Sequence, residues 1–535
     1  MTFLASIVVL TALSGAAQDT QPNGAPLAAQ MRATVRRADL ARSYLLLERA
    51  LDAVALPPDD REAVNRAVDA ITLLFFSGRT SEAVGRLNET TAKILGLRGA
   101  ERLSFEALAG QRAVLEPNNL RIGANPVVGL DLEWLVPGIP PPTGTQILVV
   151  GPDGETFAQP LGPTVRLHPG EAARAGRYDL FATTEDLERP VPLASAFVTR
   201  EDPARLRSAL SERLERCERE GLGREADRAA TRSRLALLDA DESRRASLPI
   251  DLAALERELM TELDELEAGR SPWIGRTGDA WRTVRASGGG APIDLPVRVL
   301  VPQPREGAER PALVIALHGA GGDEHMFLEA YGNGLLGRLA LERAAVVACP
   351  STPAFMATPL LFDALVEEMI ACHDIDPQRI HLLGHSMGAG AASALARLRG
   401  DRIASMALLA GGGELLPGGP PALIVGAGLD PLIPASRLKS LAERGREAGA
   451  SVEFRELPRE GHLLVVTLAL PEALDWVLAR RLAQRSPRRE RRKGRSAGPK
   501  TIAIEIQTSA TKRRLAERSV AVTVKASSPR SGPSA

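Results

Sequence analysis

Cysteine is scarce in this chain: Cys217, Cys349 and Cys372 are the only three in 535 residues. An odd, sparse set builds no disulfide framework and has no metal-ligand spacing, so packing must hold the fold. A Cys349–Cys372 bridge is the alternative to buried free thiols, and free thiols are expected. Aromatic residues make up only 3% of the chain, so its β-rich stretch offers no evident aromatic platform for a carbohydrate. A net charge is also missing: the formal balance is zero, although Arg488, Arg489, Arg491, Arg492, Lys493 and Arg495 crowd the last fifty residues. The remainder is therefore mildly acidic and presents no broad basic surface, which sets aside a nucleic-acid partner. Long hydrophobic runs are lacking too. The apolar stretch Met1–Leu13 is too short to span a bilayer, and no transmembrane segment is expected.

With 44% apolar and 25% charged residues the chain reads as a soluble protein, long enough for three or four units of about 100 to 200 residues each. Residues 1–17 fit a signal peptide cut near Ala17, without the usual leading Lys or Arg, and imply a secreted or periplasmic protein. Apolar residues at helical spacing, such as Leu40, Tyr44, Leu47 and Leu51, then Val64, Val68, Ile71 and Phe75, predict a helical domain over 25–115. Pro57-Pro58 separates its first two helices, and Thr80 or Ser81 is placed to cap a third. Short alternating segments punctuated by Pro and Gly predict a β-sandwich-like module over 117–200, with a spacer role preferred to carbohydrate binding. Residues 201–270 read as a helical hairpin with one apolar face at Leu206, Leu210, Leu214 and Cys217 and another at Leu252, Leu255, Leu259 and Leu263. That hairpin packs on its neighbours, mediates dimerisation or forms a solvated linker. Residues 485–535 form a basic tail read as disordered.

From Trp281 onward strands and helices alternate, with continuous apolar strands at Leu295–Val301, Ala312–Leu317, Ile380–Leu383 and Ala422–Val425. This predicts an α/β fold over 275–484, a mostly parallel sheet covered by helices on both faces. One strand runs into Gly384-His385-Ser386-Met387-Gly388 and a helix follows at once, the setting in which a sharp turn lifts a serine hydroxyl out of a sheet. Such a hydroxyl needs a base, and the base needs an orienting acid. In the order Ser, acid, His, only His462 follows Ser386. Asp430 comes after the Ala422–Val425 strand at the sheet edge where Ser386 emerges. Asp401 lies at the wrong edge, and Glu414 is the runner-up. His318-Gly319-Ala320-Gly321-Gly322 follows the strand ending at Leu317, and the N–H groups of Ala320 and Met387 are the expected oxyanion donors. No cofactor or metal is expected.

The stretches Leu295–Pro302, Leu313–Gly322 and Ile375–Gly388 resemble the α/β-hydrolase superfamily, in particular serine esterases of the polyhydroxybutyrate-depolymerase, feruloyl-esterase and phospholipase/carboxylesterase type. The resemblance implies a carboxylic-ester hydrolase working through an acyl-enzyme, with Ser386, Asp430 and His462 as triad. It covers under half the chain and implies no role for anything before about residue 275. Between the strands ending near Leu409 and starting near Ala422 there is room for only a loop, Gly411–Pro421, where a lid is commonly inserted. An open, shallow cleft is therefore expected, suited to an ester on a bulky or polymeric partner. Two alternatives stand beside this reading: a prolyl-oligopeptidase-like peptidase, for which no propeller repeat is found upstream, and a non-catalytic surface adaptor.

Overall fold

Alternation along each strand decides how the C-terminal half is layered. In β11 (Leu313–Leu317), Leu313, Ile315 and Leu317 point into one core while Val314 and Ala316 point into another, as the twofold period of a strand requires. The computed structural model describes residues 33–136, 140–238, 250–286 and 292–482. The expected signal at 1–17 and basic tail at 485–535 lie outside them.

Strands β1 to β8 (Gln111–Glu116, Asn119–Arg121, Val127–Trp134, Gln146–Val150, Thr156–Pro160, Thr164–Arg166, Gly176–Thr183 and Val191–Thr199) lie upstream. The strands that follow form one eight-stranded sheet in the order β16-β15-β14-β13-β11-β12-β10-β9. Here β9 is Gly278–Ala286, β10 Ile293–Val301, β12 Val346–Pro350, β13 Ile380–His385, β14 Ser405–Leu409, β15 Ala422–Ala427 and β16 Val452–Leu457. All pairings from β12 through β11 to β16 are parallel, and β10 runs antiparallel to both β12 and β9. Helices Pro359–His373, Met387–Arg399 and Ala435–Glu447 cover one face, and Leu335–Glu342 and Val465–Leu478 cover the other.

The upstream half departs from expectation in detail. Its helices are α1 (Arg37–Ala53), α2 (Pro58–Phe76), α3 (Thr80–Ile94) and a fourth, α4 (Gly99–Ala109). Pro58 occupies the first turn of α2, where its missing N–H costs nothing. Arg79, not Thr80, stands at the cap of α3, and the Ser81 hydroxyl is spent on the Leu135 carbonyl. The helical region ends earlier than 115, because Gln111–Glu116 pairs with Val127–Trp134 as a strand. The β module has a three-stranded and a five-stranded sheet closing over Leu115, Val128, Ile147, Tyr178 and Leu180. The expected hairpin is three helices, α5 (Pro203–Glu220), α6 (Glu225–Leu235) and α7 (Leu252–Glu267). Both of its leucine faces enter one core together with Phe197 of the β module, with Trp281 of β9 packed against it. All three cysteines are free and buried. Among the described residues no helix is long and apolar enough to cross a membrane.

The three-helix arm is fastened to the sheet by charge. The Arg282 guanidinium on β9, only 1% exposed, donates to Glu368 at 2.6 Å and lies 4.3 Å above the Trp273 ring, while Arg224 of the arm reaches the same carboxylate at 3.0 Å. Glu368 is the carboxylate that both guanidiniums share, so Glu368→Ala strands the buried Arg282 and is expected to lower stability by about 3–5 kcal/mol, read from the shift in urea midpoint.

Candidate active site

At the end of β13 the chain must reverse into a helix within one residue. Ser386 takes that turn at φ 54° and ψ −115°, and Met387 opens the helix that follows. A backbone so far from the usual regions costs on the order of 1–3 kcal/mol and persists because its surroundings hold it. Packing around the turn is close: a Cβ on Gly384 would overlap the Gly388 carbonyl, and one on Gly388 would overlap the Leu317 carbonyl. The Ser386 N–H is held by the Leu409 carbonyl at 2.9 Å.

Asp430 emerges just beyond β15 and is buried. Its Oδ1 accepts the N–H groups of Leu432 and Ile433, both at 2.8 Å, and its Oδ2 accepts His462 Nδ1–H at 2.7 Å. With Nδ1 protonated, His462 Nε2 accepts the Ser386 hydroxyl at 3.0 Å. Serine, histidine and aspartate thus form one hydrogen-bonded line at the carboxyl edge of the sheet. Asp401 and Glu414 are exposed, and neither joins it.

The loop after β11 lies against Ser386, since a Cβ on Gly319 would sit 3.4 Å from the serine Cβ. Two other histidines brace this corner. His318 donates from Nδ1 to the Gly319 carbonyl at 2.8 Å and accepts the Thr352 N–H at 3.0 Å. His385 accepts the Tyr331 hydroxyl at 2.7 Å and donates from Nε2 to the His462 carbonyl at 2.9 Å. Burial pulls their pKa values down to about 4 for His318 and about 3 for His385, so both are neutral near pH 7. Ala320 borders the cavity beside Ser386, and Met387, as the first residue of its helix, has an N–H with no intrahelical acceptor.

Helix α2 supplies residues that the sequence reading missed. Arg61, Asn65 and Asp69 follow one another at single-turn spacing and face the loop that carries the histidine. Arg61 forks onto the buried Glu460 carboxylate at 2.6 and 2.9 Å. Asn65 donates to the Arg459 carbonyl at 3.2 Å and accepts the Gly461 N–H at 2.7 Å. Asp69 Oδ1 accepts the His462 N–H at 2.8 Å. Contact at Gly461 leaves no room for a side chain, because a Cβ there would overlap the Asp69 carboxylate. The only signal available was a polar stripe beside the apolar Val64, Val68, Ile71 and Phe75, which in isolation reads as a solvent face.

The expected open, shallow cleft is not what the chain builds. The Gly411–Pro421 segment is indeed only a loop, but helices α1, α2 and α3 roof the site from the N-terminal side. Between them and the Gly319–Gly322 loop is a cavity of about 160 Å³ bounded by Tyr44, Val68, Ile71 and Phe75 as well as Ser386 and His462.

No protein-family profile matches this sequence, and no curated protein matches it. Similar solved structures include a thermostable esterase (21% identity, TM-score 0.31), covering 38% of this chain and 63% of that one. An S-formylglutathione hydrolase from Staphylococcus aureus shows 18% identity over 38% of this chain and 99% of its own, with a TM-score of 0.30. Another, from Agrobacterium tumefaciens, shows 16% identity over 39% and 97%, with a TM-score of 0.32. Others are an arylesterase (17% identity, TM-score 0.31) and a fluorophosphonate-binding serine hydrolase from Staphylococcus aureus (14% identity, TM-score 0.31).

Burial, with the nearby Asp430 and Glu460 charges adding to it and the His462 N–H opposing it, raises the Asp69 carboxyl from 3.8 to about 6. The folded state therefore holds this proton more tightly than the unfolded chain does. Its contribution to stability is complete below about pH 4 and is lost as pH rises through about 6. In Asp69→Asn, which keeps the acceptor for the His462 N–H, denaturation midpoints are expected to lose this part of their pH slope, worth at most about 3 kcal/mol between pH 4 and 7.

Proposed function

We propose that this protein is a serine hydrolase that cleaves carboxylic esters through an acyl-enzyme, with Ser386 as nucleophile, His462 as base and Asp430 as the group that orients the base. The observation that carries this reading is the line from Asp430 Oδ2 to His462 Nδ1 at 2.7 Å and from His462 Nε2 to Ser386 Oγ at 3.0 Å. In the first half-reaction the serine oxygen bonds to the ester carbonyl carbon as His462 takes the hydroxyl proton. The carboxylate of Asp430, fixed by two backbone N–H groups, stabilises the imidazolium so formed.

The N–H groups of Ala320 and Met387 are the proposed donors to the oxyanion, where loss of one donor is typically worth about 3 kcal/mol. Collapse of the tetrahedral intermediate breaks the bond to the alcohol, which leaves with the proton from His462. Water, deprotonated by the same imidazole, then releases the acid and restores the serine. The residues named need no metal or organic cofactor for these steps. The apolar Met1–Leu13 run supports export of the chain.

A peptidase of the prolyl-oligopeptidase type is less well supported. Upstream of residue 275 the described residues form helices and two small sheets rather than propeller blades. An adaptor with a retired site has no need of an aspartate, imidazole and hydroxyl kept in line.

The test is hydrolysis of p-nitrophenyl acetate together with labelling by a fluorophosphonate probe. Ser386→Ala is expected to abolish labelling and to lower kcat by about 10⁴-fold or more, and Asp430→Asn to lower kcat by about 10⁴-fold. Absence of labelling in folded wild-type protein favours the adaptor, and cleavage of proline-containing peptides favours the peptidase.

A further inference from the structure

The cavity beside Ser386 is walled by apolar side chains whose source is the N-terminal helices, not the sheet domain. Tyr44 from α1 and Val68, Ile71 and Phe75 from α2 form the roof, and Met326 and the Gly319–Gly322 loop form the floor. Phe75 lies so close over Gly321 that a Cβ there would sit 2.7 Å from the ring. It is itself backed edge-on by Phe76, with ring centroids 5.2 Å apart.

Polar groups in the lining are already spent on other protein groups. The Thr72 hydroxyl bonds the Val68 carbonyl at 2.9 Å, the Tyr44 hydroxyl bonds Glu48 at 2.5 Å, and the Tyr331 hydroxyl bonds His385 at 2.7 Å. Arg37 is turned onto the Gly322 carbonyl at 2.6 Å. What faces the space is therefore chiefly hydrocarbon, and a guest gains by leaving water rather than by hydrogen bonding.

Size narrows the class of guest. A cavity of about 160 Å³ is close to the apolar cavity of about 150 Å³ that holds one benzene molecule. Function narrows it further, given the serine-hydrolase reading on which this step rests. The acyl group stays bound to Ser386 through both half-reactions, whereas the alcohol must leave and water must enter between them. A space walled by apolar side chains beside Ser386 suits the part that stays.

We propose that the helical roof forms an acyl pocket, and that the preferred substrates are esters of compact apolar acids of about six carbons, linear, branched or a single aromatic ring.

The test measures kcat/KM of the full chain on p-nitrophenyl esters from acetate to decanoate and on the benzoate. Wild-type protein is expected to peak near the hexanoate, to accept the benzoate, and to fall by about tenfold or more for each step of misfit beyond the pocket. Phe75→Ala, which deepens the cavity, is expected to move the optimum to longer acids. Ala41→Leu, which fills it from α1, is expected to move it to shorter ones. Opposite shifts are not produced by general loss of stability. An acyl profile identical in all three proteins overturns the proposal, as does selectivity that follows the alcohol across a series of acetates. Failure of the underlying reading looks different: no ester is hydrolysed in a Ser386-dependent way and no fluorophosphonate labels the protein.

Discussion

The arrangement depends on how the loop from Arg459 to His462 is held. A histidine at the end of a strand is a useful base only if its backbone is fixed, because an error of 1 Å in a reacting group can cost about a hundredfold in rate. Here the two N–H groups leading into the imidazole, those of Gly461 and His462, are turned toward α2 and accepted by Asn65 and Asp69. Glu460, which is buried in the same loop, is neutralised by Arg61 from that helix. Asp430 and Ser386 are fixed by the sheet; the imidazole between them is fixed from outside it.

One helix consequently has two duties. Its polar stripe holds the histidine loop, and its apolar stripe, Val68, Ile71 and Phe75, roofs the cavity in which the proposed substrate group rests. Since both stripes belong to the rigid cylinder of α2, the roof is coupled mechanically to the position of the His462 imidazole. The upstream modules support this in turn: Glu48 on α1 accepts the Gly332 N–H at 3.1 Å, and Arg42 bonds the Leu193 carbonyl of the β module at 3.2 Å. Burial raises the Glu48 carboxyl to about 7, a cost borne by a joint between the roof and the sheet domain.

The half that carries Ser386 was legible because its signals are local. Gly384 to Gly388 sits between an apolar strand and a helix, and chain order leaves His462 as the one histidine after Ser386, so few residues had to be weighed. The three side chains that this reasoning singles out stand within hydrogen-bond reach of one another. The roof was not legible, for a physical reason. Asn65 and Gly461 meet across 396 positions, and nothing in the sequence around either announces the other. A polar stripe satisfied by a distant loop looks like one satisfied by water. The stretch after Leu409 likewise implies an open cleft, because it holds only a loop while the covering helices lie at the other end of the chain. The helices α4 (Gly99–Ala109) and α6 (Glu225–Leu235) were not legible for a plainer reason: they are short, 11 residues each, and each belongs to a stretch already assigned to its neighbours.

The measurement that bears most directly on this account is the second-order rate of fluorophosphonate labelling at Ser386 in an Arg61→Ala/Asn65→Ala double variant whose circular dichroism and thermal transition show a folded protein. Neither residue touches the serine, so a module that merely sits beside the sheet domain has no effect on that rate. If α2 sets the position of His462, labelling slows by about 10²-fold. Labelling at the wild-type rate contradicts the account.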